Sequence, residues 1–394
     1  MSNICMKRLL FTRRNDSVNL IYQLSRQRMS SASSASSSSS SDDDVILNRE
    51  DNKGIIICNR PNQLNALNLS MVRKIYPQLR KWEMDNSMKM VIIKGTGDKA
   101  FCAGGDIKVV AQSGNGSPLG LEFFREEYRL NNQIGSMAIP YVALLNGIVM
   151  GGGVGLSVHG AYRVATEKAV FAMPETAIGF FPDVGGSHFL PRLPGKLGIY
   201  LALTGARLHG RDLFKAGIAT HFVCSDRLEE LESDLLRMKV PDLKGIDSLL
   251  TRYQEQWEAD YKKEFSLKQY KGRINSAFGA ESVEQIMENL SKDSSDWSKQ
   301  QLEILNSVSP TSLKVTFKAL QQGAMMSLPD CLKMEYRIAH KMMHESDFFE
   351  GVRAALIDKD KSPKWKPSKL EDVTEDQVNA YFNPSDPQFK ELQL

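Results

Sequence analysis

Two carboxylates in apolar surroundings, Glu175 and Asp183, are the first candidates for chemistry. They lie eight residues apart, and their neighbours include the large apolar side chains Phe171, Met173, Phe180 and Phe181. Burial among such side chains raises the pKa of a carboxylate towards the range that general acid or base catalysis uses. The structural alternative is that Glu175 follows Pro174 at a helix start and that Asp183 caps a helix beginning near Gly185. Taken by themselves, these residues favour the structural alternative.

Two glycine-containing turns, residues 99–108 and 150–160, each follow an apolar segment. Glycine lets other groups approach the backbone closely, because it has no Cβ. The second turn lacks the lysine of a phosphate loop and the spacing of a dinucleotide fingerprint. In one fold, the two turns could instead aim backbone N–H groups at a developing oxyanion, with a helix dipole behind the second. The alternative is that both are merely tight turns packed on a sheet.

The sequence lacks the motifs of several other kinds of active site. No HExxH pair and no GxSxG elbow is present, so neither a metalloprotease-like zinc site nor a serine triad is expected. The cysteines form no CxxC pair and are odd in number: Cys5, Cys58, Cys102, Cys224 and Cys331. Their spacing favours a reducing compartment over a disulfide framework. We therefore expect no metal.

The elements that would position these residues alternate in type between Val45 and about Ala219. Predicted strands cover residues 54–58, 90–94, 141–145, 162–165 and 170–172, and predicted helices cover residues 70–82, 119–136, 153–158 and 198–203. Such alternation predicts a largely parallel sheet or stacked βαβ turns. Beyond residue 211 strand signals nearly vanish, and helices are predicted at 227–239, 282–289, 296–308, 312–323 and 328–344.

The N-terminal segment differs from the rest in charge. Residues 1–41 carry a net charge of +5, so the remaining residues carry −2 of the total +3. Spaced arginines among apolar residues predict a mitochondrial transit segment over residues 1–29, the alternative being a disordered basic tail. The serine-rich residues 30–44 predict a disordered linker. The rest of the chain has no basic excess that would attract nucleic acid. It also contains no run of about 18 apolar residues, so no membrane-spanning helix is predicted.

The motifs, taken together, resemble those of the crotonase (enoyl-CoA hydratase/isomerase) superfamily. They keep order and spacing at residues 59–61, 64–67, 101–106, 146–147, 151–153, 174–175, 185–186 and 203–205. The resemblance implies an α/β crotonase fold, in which stacked ββα turns form a parallel-sheet spiral core. The core would span residues 45–220 and be covered by a C-terminal helical region, residues 221–394.

The chain resembles most the 3-hydroxyacyl-CoA thioester hydrolases of this superfamily. The similarity rests on residues 123–128, 151–159, 173–186, 189–193, 309–314, 350–353 and 364–367. It implies that the N–H groups of Ala103 and Gly152 bind the thioester oxygen. Glu175 matches one of two hydratase glutamates, whereas Gly155 stands where hydratases usually carry the other. One carboxylate needed to add water across a double bond is therefore missing.

The same resemblance implies residues that bind the acyl group and CoA. Asp183, where hydratases commonly have glycine, and Glu127 would hold a substrate 3-hydroxyl. The adenosine end of CoA would lie along the backbone at Leu64, Ala66, Gly105, Asp106 and Ile107. No cofactor is implied, since CoA is part of the substrate.

The implied reaction is hydrolysis of 3-hydroxy-2-methylpropanoyl-CoA, a step of valine breakdown in the mitochondrial matrix. Glu175 would either activate water or attack the thioester itself, giving a mixed anhydride, and the residues do not choose between these routes. The alternatives are an enoyl-CoA hydratase or isomerase, which Gly155 disfavours, and a non-catalytic protein of this fold that binds a partner or RNA. Formation of a homo-oligomer is left open.

Overall fold

Strands of the first half of the chain alternate between two sheets in the computed structural model, which describes residues 44–384, 386–387 and 389–394. The larger sheet holds, in spatial order, β1 (Val45–Glu50), β2 (Lys53–Cys58), β3 (Met90–Gly95), β5 (Tyr141–Leu145), β7 (Tyr162–Ala165) and β10 (His221–Phe222). The smaller sheet holds β4 (Ala100–Cys102), β6 (Ile148–Met150), β8 (Val170–Ala172) and β9 (Leu208–His209). The predicted transit segment and all of the predicted linker except Asp44 lie outside the described residues.

The pairing of the strands produces a spiral. β1 and β2 form an antiparallel pair, and β2, β3, β5, β7 and β10 then run parallel to one another. β4, β6 and β8 are also parallel, and β9 closes the smaller sheet antiparallel to β8. The chain therefore steps from the larger to the smaller sheet at β3–β4, β5–β6 and β7–β8, which confirms the predicted stacked turns.

Helices follow the strand pairs in the first half. They are α1 (Leu69–Met84), α2 (Ile107–Gln112), α3 (Pro118–Ser136), α4 (Gly152–Gly155), α5 (Gly186–Phe189), α6 (Leu197–Thr204) and α7 (Arg211–Lys215). Local signals set the starts of the longer ones. The Asn68 side chain accepts a hydrogen bond from Met71 N at α1, and Ser117 does the same for Leu119 N ahead of Pro118 at α3. Short 3₁₀ turns lie at Pro61–Gln63, Glu175–Ile178 and Leu190–Arg192.

Helices and turns joined by loops make up the described residues of the second half after β10, with no further strand among them. Its helices are α8 (Leu228–Arg237), α9 (Leu243–Glu255), α10 (Glu258–Tyr261), α11 (Lys271–Ala277), α12 (Val283–Asp293), α13 (Asp296–Ser307), α14 (Pro310–Gly323), α15 (Leu328–Met342), α16 (Ser346–Val352) and α17 (Glu375–Phe382). Shorter turns lie at Ser225–Arg227, Lys268–Tyr270, Arg353–Ile357 and Leu370–Asp372. None of the described helices is both long and apolar enough to span a membrane.

The second half packs on the first through a shared hydrophobic core. α3 lies between α1 and α15, and α14 contacts α5 and α6. Apolar side chains of both halves belong to the same buried cluster, among them Ile56, Tyr128, Leu313 and Tyr336. α3 therefore has the C-terminal helices on one side and the strand-bearing core on the other.

Most predicted elements are confirmed with ends within two residues, and the differences are local. The helix predicted over 153–158 ends at Gly155, and α12 runs four residues beyond its predicted end. Several elements were not predicted: they include the short strands β4, β6 and β9, the six-residue β1 and the 13-residue α9. β10 joins the larger sheet just after the predicted core boundary at residue 220.

Candidate active site

The two glycine turns pack directly against each other. A Cβ built at Gly153 would lie 2.2 Å from Cys102 O, and one at Gly152 would lie 3.2 Å from Gly105 N. No side chain fits between these backbones, so the start of α4 rests on the carboxyl end of β4. We call this contact, residues 102–105 with 151–153, the glycine junction. The turns thus lie together, as the oxyanion hypothesis needs.

The two predicted oxyanion donors differ in their surroundings. Gly152 is the first residue of α4, and the preceding Gly151 has φ +45°, a conformation that favours glycine. The Ala103 N–H donates a hydrogen bond to Leu64 O at 3.0 Å. A substrate oxygen at the junction would therefore have to share or displace the Ala103 N–H bond, a condition that the sequence did not reveal.

Glu175 reaches the glycine junction from the 3₁₀ turn after β8. A Cβ built at Gly151 would lie 3.2 Å from Glu175 Oε1, so the carboxylate lies next to the backbone of the glycine junction. Glu175 is 7% exposed, and its Oε2 has no hydrogen-bond partner among the described residues. Pro174 is the N-cap of the turn, without a side-chain capping bond. Glu175 does begin a helix, but its carboxylate is free for other chemistry.

An aromatic cluster removes water from Glu175. The Phe180 N–H donates to Glu175 O at 3.0 Å, and the Phe180 ring centroid lies 4.8 Å from that of Phe181. Phe124 from α3 stacks on Phe180 at 5.0 Å, and Phe348 from α16 lies at 5.3 Å. Burial, followed by the charge of Asp183, raises the pKa of Glu175 well above its usual range. The predicted desolvation is confirmed, although two of the rings come from helices not considered for it.

Asp183 lies at the start of a tight turn and does not cap α5. Gly186 N donates to Asp183 O at 2.7 Å, and the two central residues, Val184 and Gly185, have φ of +50° and +85°. Two positive φ values identify a turn of the type I′ kind. Gly185 is the N-cap of α5, and the N–H groups of Gly185 and Ser187 donate to Glu335 and not to Asp183, so the capping hypothesis for Asp183 is wrong. Its Oδ2 instead accepts a hydrogen bond from Tyr128 Oη at 2.7 Å.

The Asp183 turn is strained and is held from several sides. A β-branched residue at positive φ costs about 1–3 kcal/mol and persists only where surrounding contacts fix it. His159 Nε2 lies 2.7 Å from Val184 O, within hydrogen-bond distance. Burial raises the pKa of Asp183 to about 7, while the hydrogen bond from Tyr128 opposes this rise.

Glu335 holds the same turn from α15, and sequence reasoning missed it. It is fully buried, and its carboxylate accepts hydrogen bonds from Gly185 N at 2.7 Å, Ser187 N at 2.9 Å and Ser187 Oγ at 2.5 Å. Burial raises the pKa of Glu335 to about 8, against the hydrogen bonds from Ser187 and Gly185. No motif marks this residue, because its partners lie about 150 positions earlier.

Glu127 is the third carboxylate at the glycine junction. It projects from α3, is 2% exposed, and its Oε1 has no hydrogen-bond partner among the described residues. A Cβ built at Gly152 would lie 2.5 Å from this oxygen. Burial, then Asp183 and Glu175, raise the pKa of Glu127 well above its usual range. Because like charges oppose each other's ionisation, the three carboxylates titrate as a coupled group.

Gly155 faces Asn131, one helical turn beyond Glu127 on α3. A Cβ built at Gly155 would lie 2.7 Å from both Asn131 Nδ2 and Val184 Cβ. A glutamate at this position has no room. Asn131 is fully buried, and neither amide atom has a partner among the described residues. Its spacing of four from Glu127 was the one sequence signal that placed it on this face.

The two segments predicted to bind CoA lie side by side. Leu67 N donates to Gly104 O and Asp106 N donates to Leu67 O, both at 2.8 Å. Arg60 ties them together through Asp106 Oδ2 at 2.9 Å and Ala66 O at 2.7 Å. The predicted residues Leu64, Ala66, Gly105, Asp106 and Ile107 are therefore brought together. The Asp106 side chain is engaged with Arg60.

The part of the chain that the structure describes contains no candidate metal-binding group. No group of three His, Cys, Asp or Glu side chains there could hold a metal ion. The arrangement brings two glycine turns together with three buried carboxylates around them. Such a site suits acyl transfer to water.

Comparisons with known proteins point to the same chemistry. The family model for enoyl-CoA hydratase/isomerase matches residues 53–382. The chain is 56% identical over 340 residues to the mitochondrial 3-hydroxyisobutyryl-CoA hydrolase of Gallus gallus, covering 86% of this chain and 88% of the relative. It is 55% identical over 338 residues to the Homo sapiens protein of that name, with the same shares.

Solved structures show the same fold. A carnitinyl-CoA dehydratase from Mycobacterium thermoresistibile has a TM-score of 0.80 and 36% identity, over 89% of this chain and 98% of that one. An enoyl-CoA hydratase from Rhodobacter sphaeroides 2.4.1 has a TM-score of 0.79 and 35% identity, over 89% and 100%. The likeness extends over both the strand-bearing core and the C-terminal helices.

Proposed function

The chain belongs to the enoyl-CoA hydratase/isomerase family, and from that premise we propose that it hydrolyses 3-hydroxyisobutyryl-CoA to 3-hydroxyisobutyrate and CoA. The relatives that bear this activity in their names share more than half of the aligned residues. The observation that carries hydrolysis over hydration is the packing at Gly155, where a Cβ would lie 2.7 Å from Asn131 Nδ2. The position has no room for a hydratase acid, so Glu175 acts without one there.

The thioester oxygen is the group that the glycine junction would bind. In the proposed complex it accepts hydrogen bonds from Gly152 N–H and from Ala103 N–H, the latter shared with or taken from Leu64 O. Donors fixed by the fold need little reorganisation as negative charge develops on the oxygen. This arrangement would hold the carbonyl carbon beside Glu175.

Glu175 supports two routes of hydrolysis. As a general base it takes a proton from water, whose oxygen adds to the carbonyl carbon; the C–S bond then breaks and the proton passes to the CoA thiolate. As a nucleophile it attacks the carbonyl itself, releases CoA and leaves a mixed anhydride, which water then hydrolyses. Either route needs the ionised carboxylate, and the raised pKa makes it a stronger base than an ordinary glutamate.

Asp183 and Glu127 would bind the 3-hydroxyl group of the substrate. Both are buried close to Glu175, and Glu127 Oε1 lacks a partner among the described residues. A buried polar group that loses its partner costs about 1–3 kcal/mol. An acyl group without a hydroxyl would leave Glu127 Oε1 unpaired, so the site should discriminate against it.

The enzyme is mitochondrial. Its relatives carry that location in their names, and residues 1–29 have the arginine-rich, acid-poor composition of a transit segment.

Release of free thiol tests the proposed function. The purified protein should release CoA thiol from 3-hydroxyisobutyryl-CoA, more slowly from isobutyryl-CoA, and not from crotonyl-CoA. Glu175→Gln keeps the shape of the side chain but cannot act as base or nucleophile, so kcat should fall by about 10³-fold or more. Hydration of crotonyl-CoA without thiol release, or full activity in a folded Glu175→Gln variant, would contradict the proposal.

A further inference from the structure

Glu335 is a buried carboxylate whose hydrogen bonds all reach the turn that follows Asp183. Its two oxygens accept from Gly185 N, Ser187 N and Ser187 Oγ at 2.5–2.9 Å. Among the described residues it makes no ion pair. A buried carboxylate without a cation is a poor way to stabilise a fold, because an apolar side chain of similar size avoids the desolvation cost. Its presence therefore calls for a role beyond packing.

The Asp183 turn has features that require such support. Val184 lies at φ +50°, and Gly185 follows at +85°. Tyr128 Oη binds the Asp183 side chain at 2.7 Å but does not bind the N–H groups of the turn. Without Glu335, the N–H groups of Gly185 and Ser187 would lose these acceptors in a buried environment. The backbone that aims the Asp183 carboxylate would then be free to relax.

We propose that Glu335 is a positioning residue, which acts through the turn at residues 183–187 to hold Asp183 in its catalytic orientation. The proposal rests on the proposed function, since it takes Asp183 to bind the substrate hydroxyl. It gives the C-terminal helical region a share in the active site, through α15, although Glu335 does not itself touch the substrate. The titratable groups facing Glu335 are Asp183, Tyr128 and Cys331.

A double-mutant cycle tests the proposal by thiol release from 3-hydroxyisobutyryl-CoA. Glu335→Gln replaces one acceptor oxygen by a donor, which must face an N–H group of the turn. Because a displacement of about 1 Å can cost about 100-fold in rate, we expect kcat to fall ~10- to 100-fold. In an Asp183→Asn background the same change should lower kcat less than about threefold, since its effect passes through Asp183.

Selectivity is a second readout, which general destabilisation would not move. Glu335→Gln should reduce the preference for 3-hydroxyisobutyryl-CoA over isobutyryl-CoA by about tenfold, because Asp183 no longer meets the hydroxyl. Asp330→Asn, an exposed carboxylate-to-amide change on the same helix, should leave kcat and the preference unchanged.

Three outcomes are decisive. Wild-type kcat in a folded Glu335→Gln variant, or effects of Glu335→Gln and Asp183→Asn that multiply, overturns the positioning role. If Glu335→Gln does not fold, Ser187→Ala replaces it in the cycle, because this change removes only the hydrogen bond from the Ser187 hydroxyl to Glu335. The positioning role then predicts a smaller fall in kcat that again largely disappears in the Asp183→Asn background. A wild-type protein that releases no thiol refutes the proposed function instead, so the two failures are distinct.

Discussion

Tyr128 is the residue that binds Asp183 directly. Its hydroxyl, buried on α3, donates to Asp183 Oδ2 at 2.7 Å and opposes the rise in the pKa of Asp183 that burial causes. The ring also meets the edge of Tyr336, next to Glu335, at 6.5 Å. Tyr128 therefore links the side chain of Asp183 to the helix that holds its backbone.

Removal of the Tyr128 hydroxyl should lower activity more than stability explains. Tyr128→Phe leaves a buried carboxylate without its donor, which costs about 1–3 kcal/mol, and frees the Asp183 side chain to rotate. We expect a ~10-fold or larger fall in kcat by thiol release, at a temperature where the variant is folded. Tyr253→Phe is the matched control, since Tyr253 donates to Asp234 at 2.9 Å outside the site and should leave kcat unchanged. Equal kcat values for the two variants would contradict this role.

Among the elements, the 3₁₀ turn that carries Glu175 is pressed against α16. A Cβ built at Gly351 would lie 2.2 Å from Ile178 C, and one at Gly179 would lie 2.2 Å from Asp347 O. Two glycines thus allow backbone-to-backbone contact between the turn and the helix. Because α16 also supplies Phe348 to the aromatic cluster, its distance from the turn affects both the position and the desolvation of Glu175.

Gly351→Ala should separate α16 from the turn. The added methyl group meets backbone, which cannot rotate away, so we expect a loss of about 1–3 kcal/mol in the free energy of unfolding and a lower kcat. Gly272→Ala on α11 is the control. A Cβ there meets nothing within 4 Å, and the change should stabilise by about 0.5–1 kcal/mol without effect on kcat. Urea unfolding measures the free energy of unfolding of the two variants, and thiol release measures their kcat. A Gly351→Ala variant with wild-type values of both would refute the contact.

Most of the longer elements could be predicted because each carries its own signal, although the 13-residue α9 was missed. The apolar run of β3 and the periodic pattern of α3 decide their structure locally. β4 and β6 were missed, although β8 of the same length was predicted, since each of the two is followed by a glycine turn. Their position depends on pairing with each other across the smaller sheet.

The residues of the candidate site also divide into those that could be predicted from the sequence and those that could not. Glu175, Asp183 and Glu127 could be named from motifs, and the structure brings all three together. Glu335 could not, because in its own helix it is one polar residue in an amphipathic pattern, and its partners lie about 150 residues away. The Ala103 bond to Leu64 likewise depends on a loop that no local pattern places.

At the scale of the whole molecule, four buried carboxylates with raised pKa values should make stability depend on pH in an unusual direction. Glu127, Glu175, Asp183 and Glu335 are all buried, and the pKa reaches about 7 at Asp183 and about 8 at Glu335. Unfolded carboxylates have a pKa of about 4. The folded state therefore holds more protons. The contribution of these four carboxylates to the free energy of unfolding is fully present below about pH 4 and is lost as pH rises through their folded pKa values.

Thermal unfolding should show this as a Tm that falls by several degrees between about pH 6 and about pH 9. Asp183→Asn removes one of these groups and should flatten the fall. Asp85→Asn is the control, because Asp85 is only half-buried and its pKa is lowered to about 2 by Ser87, so the alkaline slope should stay the same. A Tm that rises over this range would show that the carboxylates are ionised at little cost.

The distance along the chain between Asp183 and Glu335 also bears on folding kinetics. The acceptor for Gly185 N comes from a residue 150 positions later, and contacts of such long range form slowly because a large loop must close first. Both sheets can pair while the strained turn still lacks this support. A partly folded chain would then have its glycine junction but no fixed Asp183, so full activity and selectivity should appear only with the last docking step.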